Sequence, residues 1–97
     1  MPQNVTLKYH AHLTLAANDL CTLTLTGKSG GRGVAFKNSG PGVVWASLDS
    51  SNNASVGNAN NFTLKSGESL NLTNITTSII TLNADTASTI CDVVSSS

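Results

Sequence analysis

Charge is what this chain has least of. Only 10% of its 97 residues are charged, five acids against five bases, for a formal net charge of zero. Arg32 is the sole arginine, and Lys8, Lys28, Lys37 and Lys65 are scattered, so no cationic stripe exists to follow a phosphate backbone or lie on an anionic membrane. Neither nucleic acid nor membrane is expected as a partner. Aromatic residues amount to 4%, which leaves Tyr9, Phe36, Trp45 and Phe62 to build any stacking platform. No stretch is long enough to span a bilayer. Residues 1–15 alternate polar and apolar types, unlike the basic start and continuous apolar run of a secretory signal, and the expectation is synthesis and retention in a cytoplasm. The i, i+3, i+4 apolar spacing of an amphipathic helix is missing throughout, and no repeat of fixed period suggests a solenoid.

Cysteine is also scarce. Cys21 and Cys91 each sit among Thr, Leu, Ile and Val. A bridge between them would close a long loop and contribute on the order of 4 kcal/mol. A protein made where thiols stay reduced does not form one readily, and Cys is among the residues most often buried. Two free core thiols are therefore expected.

What is present is Ser, Thr and Asn around an ordinary share of hydrophobic residues, 39%. That composition supports one folded domain over residues 1–97 with a single modest core and a polar, nearly uncharged surface. In residues 5–15 every odd position is apolar and the even ones are Thr6, Lys8, His10, His12 and Thr14, a period of two that predicts one long strand with a dry and a wet face. Residues 20–26 repeat the pattern and are expected to pair with the first strand as a hairpin. After a glycine-rich loop over 27–33, strands are expected at 34–36, 43–48, 62–64, 69–72, 79–83 and 88–94. A turn is expected at Asn38-Ser39-Gly40-Pro41-Gly42. Residues 49–61 read as an Asn-rich surface loop with a short edge strand around Val56. The whole is an all-β chain: a single antiparallel β-sandwich or jelly roll of about seven to nine short strands, with residues 1–4 as an extended amino-terminal arm and 95–97 as a polar tail.

Several clusters invite chemistry. Thr26-Gly27-Lys28-Ser29 looks like the end of a phosphate loop, but Thr22 stands where the first glycine belongs, and Gly30, Gly31 and Gly33 would break the helix such a loop requires. It reads as a turn. His10 and His12 share one strand face, yet two imidazoles fall short of the three or four ligands of a zinc site, and the acids show no clustering toward them in sequence. They read as solvent-facing or interface side chains; a symmetry axis bringing copies together would be needed to complete a metal set. Thr22, Thr24 and Thr26 form a ladder of the ice-binding type, but it occurs once and not at each coil of a repeat, so a solvated strand face explains it. Sequons at Asn4, Asn53, Asn61, Asn71 and Asn74 follow from the abundance of Asn, Ser and Thr. Around Ser66-Gly67-Glu68-Ser69 two hydroxyls lie beside a carboxylate. A nucleophilic serine needs a histidine base, and nothing in the spacing brings His10 or His12 there. Gly67 suits a tight corner, and Phe62, Leu64, Leu70 and Leu72 are expected to anchor both arms in the core. No catalytic group, cofactor or metal is expected, and the chain does not read as an enzyme.

The order of features over residues 34–94 is a strand ending in Asn38-Ser39-Gly40, a strand bearing Trp45, a polar loop, Leu64-Lys65-Ser66-Gly67-Glu68-Ser69-Leu70, then two closing strands. It resembles small β-sandwich virion proteins of tailed bacteriophages, most closely capsid decoration or cement proteins, in which a Leu-x-x-Gly-Glu-x-Leu turn often precedes the last strands. The resemblance implies a structural role on the outside of the capsid, with the major capsid protein as partner, a homo-oligomer, trimer favoured, as the working form, and no cofactor. The protein would be made in the host cytoplasm and reside on the virion. Met1, Pro2, Gln3, Asn4, His10 and His12 are the candidate partner-binding residues, because an extended terminus can add to an exposed sheet edge. The alternative is a host-surface or glycan-binding module of a phage tail or fibre, which would need Trp45 exposed beside the loop over 52–61.

Overall fold

The computed structural model describes residues 3–26, 32–49 and 51–95, and among them there are nine strands and no helix. They are β1 (Gln3–Leu7), β2 (His10–Leu15), β3 (Cys21–Leu25), β4 (Arg32–Gly40), β5 (Val44–Ser47), β6 (Phe62–Leu64), β7 (Ser69–Ile75), β8 (Ile79–Ala84) and β9 (Thr89–Ser95). One sheet has the order β1-β3-β8-β5-β6 and the other β2-β9-β4-β7. The inward residues of both form one core that includes Leu13, Leu23, Phe36, Val44, Leu82 and Val93, each no more than 3% exposed. The chain is a β-sandwich, as its alternation predicts. Met1, Pro2 and the Gly-Lys-Ser segment at 27–29 lie outside the described residues.

The expected long strand over residues 5–15 is two strands in different sheets. The Thr26 amide donates to the Leu7 carbonyl, in the five-stranded sheet, while the Ser95 amide donates to the Tyr9 carbonyl in the other. The handover therefore happens at Lys8 and Tyr9. Odd residues stay inward on both sides of it, since Leu7, Ala11, Leu13 and Leu15 are all buried. Tyr9, at the corner itself, is 60% exposed. The expected hairpin is absent as well. β1 pairs parallel with β3, Val5 opposite Leu23, and β2 pairs antiparallel with β9, Leu13 opposite Cys91. Parallel neighbours need a crossover, and β2, lying in the opposite sheet, supplies it. Gln3 and Asn4 belong to β1, opposite Cys21 and Thr22, and not to a free arm. No strand forms around Val56. Residues 51–61 are turns and loop that close over the outer surface of the five-stranded sheet: the Ala54 amide donates to Thr81 Oγ1 at 2.9 Å and Asn83 Nδ2 to the Ala54 carbonyl at 3.2 Å.

One end of the sandwich is organised by Asn38, which is fully buried on β4. Its Nδ2 donates to the carbonyls of Gly42 and Leu64, both at 2.9 Å, and its Oδ1 accepts the Gly40 amide at 2.8 Å. Its backbone exchanges bonds with the corner after β6, donating to the Glu68 carbonyl and accepting from the Gly67 amide. That corner carries the chain from the edge of one sheet to the edge of the other. It needs Gly67 at φ +89°, a left-handed conformation that side chains disfavour. Glu68 Oε1 accepts the Lys65 amide at 2.6 Å. Leu64 is buried, and Leu70 and Leu72 pack partly against the core. Phe62 is 44% exposed and does not anchor as expected: it sits on a three-residue edge strand, which has no neighbour on its outer side to cover it.

Cys21 and Cys91 are free and buried, on β3 and β9, one in each sheet. Burial pushes the Cys21 thiol up to about 11. Cys91 rises to about 12, by burial first and then by the negative charge of Asp92.

Two outcomes follow. Asn38→Ala leaves two carbonyls and one amide without buried partners, each loss costing about 1–3 kcal/mol. Thermal denaturation should show a fall in Tm of more than about 10 °C, at roughly 4–8 °C per kcal/mol for a domain of this size. The thiols, neutral when folded, should resist alkylation at pH 8 until denaturant unfolds the chain. Their raised pKa values contribute stability that is complete below the ordinary value of 9.0 and is lost as pH rises through the folded values. Denaturant midpoints should accordingly fall between pH 9 and 11 in the wild type and fall less in Cys21→Ala.

Candidate functional site

The outward surface of the four-stranded sheet sets His10, His12, Asp92, Lys37 and the exposed Val94 in two cross-strand rows. Antiparallel register puts His10, Val94, Ala35 and Asn71 in one row and His12, Asp92, Lys37 and Ser69 in the next, across β2, β9, β4 and β7. Asp92 Oδ1 lies 2.9 Å from His10 Nε2 and 2.7 Å from His12 Nδ1. The histidine side chains are 56% and 61% exposed, and that of Asp92 is 27%. Asp92 has its carboxyl held below the ordinary range, first by the His12 hydrogen bond and then by the His10 bond. Lys37 turns its ammonium to the Gly67 carbonyl at 2.9 Å.

Beside these polar groups lies a shallow apolar groove of about 270 Å³, lined among others by Val34, Ala35, Leu72, Thr73 and Val94. Val94 is 48% exposed.

His10 and His12 thus do share a face, and Asp92 joins them from 80 residues away in sequence. The expectation that no acid approaches the histidines is corrected: β2 pairs with β9, and their register places Asp92 opposite His12. Gln3 is half-buried, its Nε2 donating to the Thr14 carbonyl of β2 at 2.7 Å, while Asn4 is exposed. The Gln3 side chain bonds to Thr14 and both histidines bond to Asp92, so Gln3 is not part of the histidine cluster.

A base and its orienting acid are present, as a hydrolytic triad requires. The nearest of the two serines considered, Ser69, lies on the same row as His12 but three strands away, about 14 Å at normal strand spacing. Ser66 sits in the corner with Gly67, and Glu68 is engaged by the Lys65 amide. The Ser66–Ser69 cluster is turn architecture. Two other acids serve as backbone acceptors: Asp85 Oδ1 takes the Val43 amide at 2.9 Å and Asp49 Oδ1 the Ser51 amide at 3.0 Å. Both carboxyls are lowered, by the Val43 bond foremost in Asp85 and by the Ser51 hydroxyl foremost in Asp49.

Trp45 is half-buried and outward-facing on the five-stranded sheet, opposite Asn83 and Thr63. Asn83 in turn bonds to the loop at Ala54, so the indole lies near that loop and not between the sheets.

No protein-family model matches the chain, and no curated protein sequence matches it. Among solved structures, a periplasmic inhibitor of g-type lysozyme from Aeromonas hydrophila, PliG, superposes with a TM-score of 0.52 at 9% identity, covering 98% of this chain and 97% of that one. The pre-peptidase C-terminal domain of a Bacillus anthracis collagenase is a looser match, with a TM-score of 0.43 at 14% identity over 98% and 94% of the two chains. At 9% identity the likeness to the inhibitor is one of fold.

Because Asp92 titrates below its usual range when folded, its contribution is present above pH 3.8 and is lost as pH falls through the folded value. Urea midpoints measured from pH 5 down to pH 2 should drop less steeply in Asp92→Asn than in the wild type. Equal slopes would mean that the two histidine bonds contribute nothing.

Proposed function

We propose that this chain is a structural virion protein that binds the outside of a bacteriophage capsid and stabilises it by bridging capsid subunits. The observation that carries the reading is that the two separated motifs of the resemblance, Asn38-Ser39-Gly40 and Leu64 to Leu70, form a single hydrogen-bonded corner. Motif residues here build a rigid scaffold, which is what a cement protein asks of its sequence. Its partner is the major capsid protein, and its working form a small homo-oligomer, with a trimer favoured. The outward surface of the four-stranded sheet, with the His10–Asp92–His12 cluster beside the Val94 groove, is the proposed contact, together with β1, the edge strand of the five-stranded sheet. Many weak contacts of this kind add through copy number on a capsid lattice.

A second reading draws on Trp45. Its outward position near the loop over residues 51–61 suits an aromatic platform beside polar groups, hence a glycan-binding module of a tail or fibre.

Sedimentation with intact and with expanded capsids tests the first reading. A small oligomer in solution that co-sediments with one of them is expected, whereas a monomer with no capsid affinity overturns it. Binding to immobilised glycans that is lost in Trp45→Ala would transfer the assignment to the second reading.

A further inference from the structure

We propose that Cys21 and Cys91 are a disulfide-competent pair across the core, and that the chain closes an inter-sheet bridge when it folds in the presence of a disulfide oxidant. The proposal goes beyond the capsid reading and does not rest on it. Cys21 lies on β3 and Cys91 on β9, in opposite sheets, and both belong to the common core, 1% and 0% exposed. Alternation turns both inward, Cys21 with Leu23 and Leu25, Cys91 with Val93. They face the same interior from its two walls.

Register puts them at one level of that interior. Cys21 stands opposite Gln3 of the neighbouring β1, and Cys91 opposite Leu13 of the neighbouring β2. β1 and β2 are edge strands of their sheets, and Gln3 Nε2 reaches across to the Thr14 carbonyl at 2.7 Å. This bond ties the two edges together one residue from Leu13, and each cysteine sits one strand further in. The Cys91 thiol, raised by burial first and by Asp92 next, is raised also by the charge of Cys21, as neighbouring sulfurs require.

The sheets of a sandwich stand about 10 Å apart, and a disulfide wants Cα atoms about 4.4–6.8 Å apart. Closure draws β3 and β9 together locally, as the inter-sheet bridge of antibody domains does. Folded thiols this buried are closed to reagents, so the bridge forms while the chain folds. A thiolate of one cysteine attacks oxidised glutathione and releases one glutathione thiolate; the second cysteine thiolate attacks the mixed disulfide and releases the other. Two protein thiols are oxidised to one disulfide, one small disulfide is reduced to two thiols, and the two cysteine protons pass to the two glutathiones.

The test refolds the unfolded, reduced full chain with and without a mixture of oxidised and reduced glutathione, and reads intact mass, alkylation in denaturant and thermal denaturation. The oxidised product should be a monomer lighter by two hydrogen atoms, with no thiol left to alkylate. Its Tm should exceed that of the reduced chain by more than about 10 °C, and dithiothreitol should return it to the reduced value. Because both forms are wild type, the test does not depend on any variant folding. Glutathione adducts or cross-linked dimers in place of the closed monomer, or a closed monomer no more stable than the reduced chain, would overturn the pairing.

Discussion

The side chain of Asn38 is the point on which one end of this sandwich depends. A two-sheet fold must carry its chain from one layer to the other, and at each such passage the backbone leaves its ladder with donors and acceptors unpaired. At Gly40, Gly42 and Leu64 the bonds to these groups are buried, and a buried unpaired carbonyl is costly. One amide side chain satisfies three of them, at Gly40, Gly42 and Leu64. Asn38 turns inward by the regular alternation of β4, after the buried Val34 and Phe36, and the register shift between Asn38 and Gly40 follows it.

The surroundings continue the same device. The Gly42 amide donates to Thr89 Oγ1 at 3.1 Å, and that hydroxyl donates to the Thr86 carbonyl at 2.7 Å. Gly42 has no room for a larger residue, since a Cβ there would come within 2.6 Å of the Thr86 Cβ. A chain with few charges thus uses Asn, Thr and Asp as fixings for backbone. This explains why the Ser66–Ser69 cluster, which resembles chemistry in the sequence, is architecture in the fold. The exposed His10, His12 and Val94, with Asp92 between the two rings, lie apart from that corner cluster, on the outward surface of the four-stranded sheet.

Much of this is legible. Alternation over residues 5–15 and 20–26 marks inward and outward faces at every odd position but the exposed Tyr9, and Gly67 marks a corner. The change of sheet at Lys8 and Tyr9 is not legible, because the apolar odd positions run unbroken in the sequence from Leu7 through Tyr9 to Ala11 and carry no information about which layer a strand joins. For the same reason a hairpin between the first strands was the natural expectation, and the parallel β1–β3 pair was not. Nothing local in the sequence links Asp92 to His10 and His12, about 80 residues away; only the β2–β9 register does. The apolar type of Phe62 predicts a core position, but on an edge strand type does not decide burial.

The central claim is that the Asn38 corner is rigid scaffold, and native-state hydrogen exchange addresses it most directly. The amide protons of Asn38, Gly40 and Gly67, all outside ordinary ladder pairing, should exchange as slowly as those of the central strands β8 and β9 and open only with global unfolding. Fast exchange at these three amides, with β8 and β9 still protected, would show a mobile corner and contradict it.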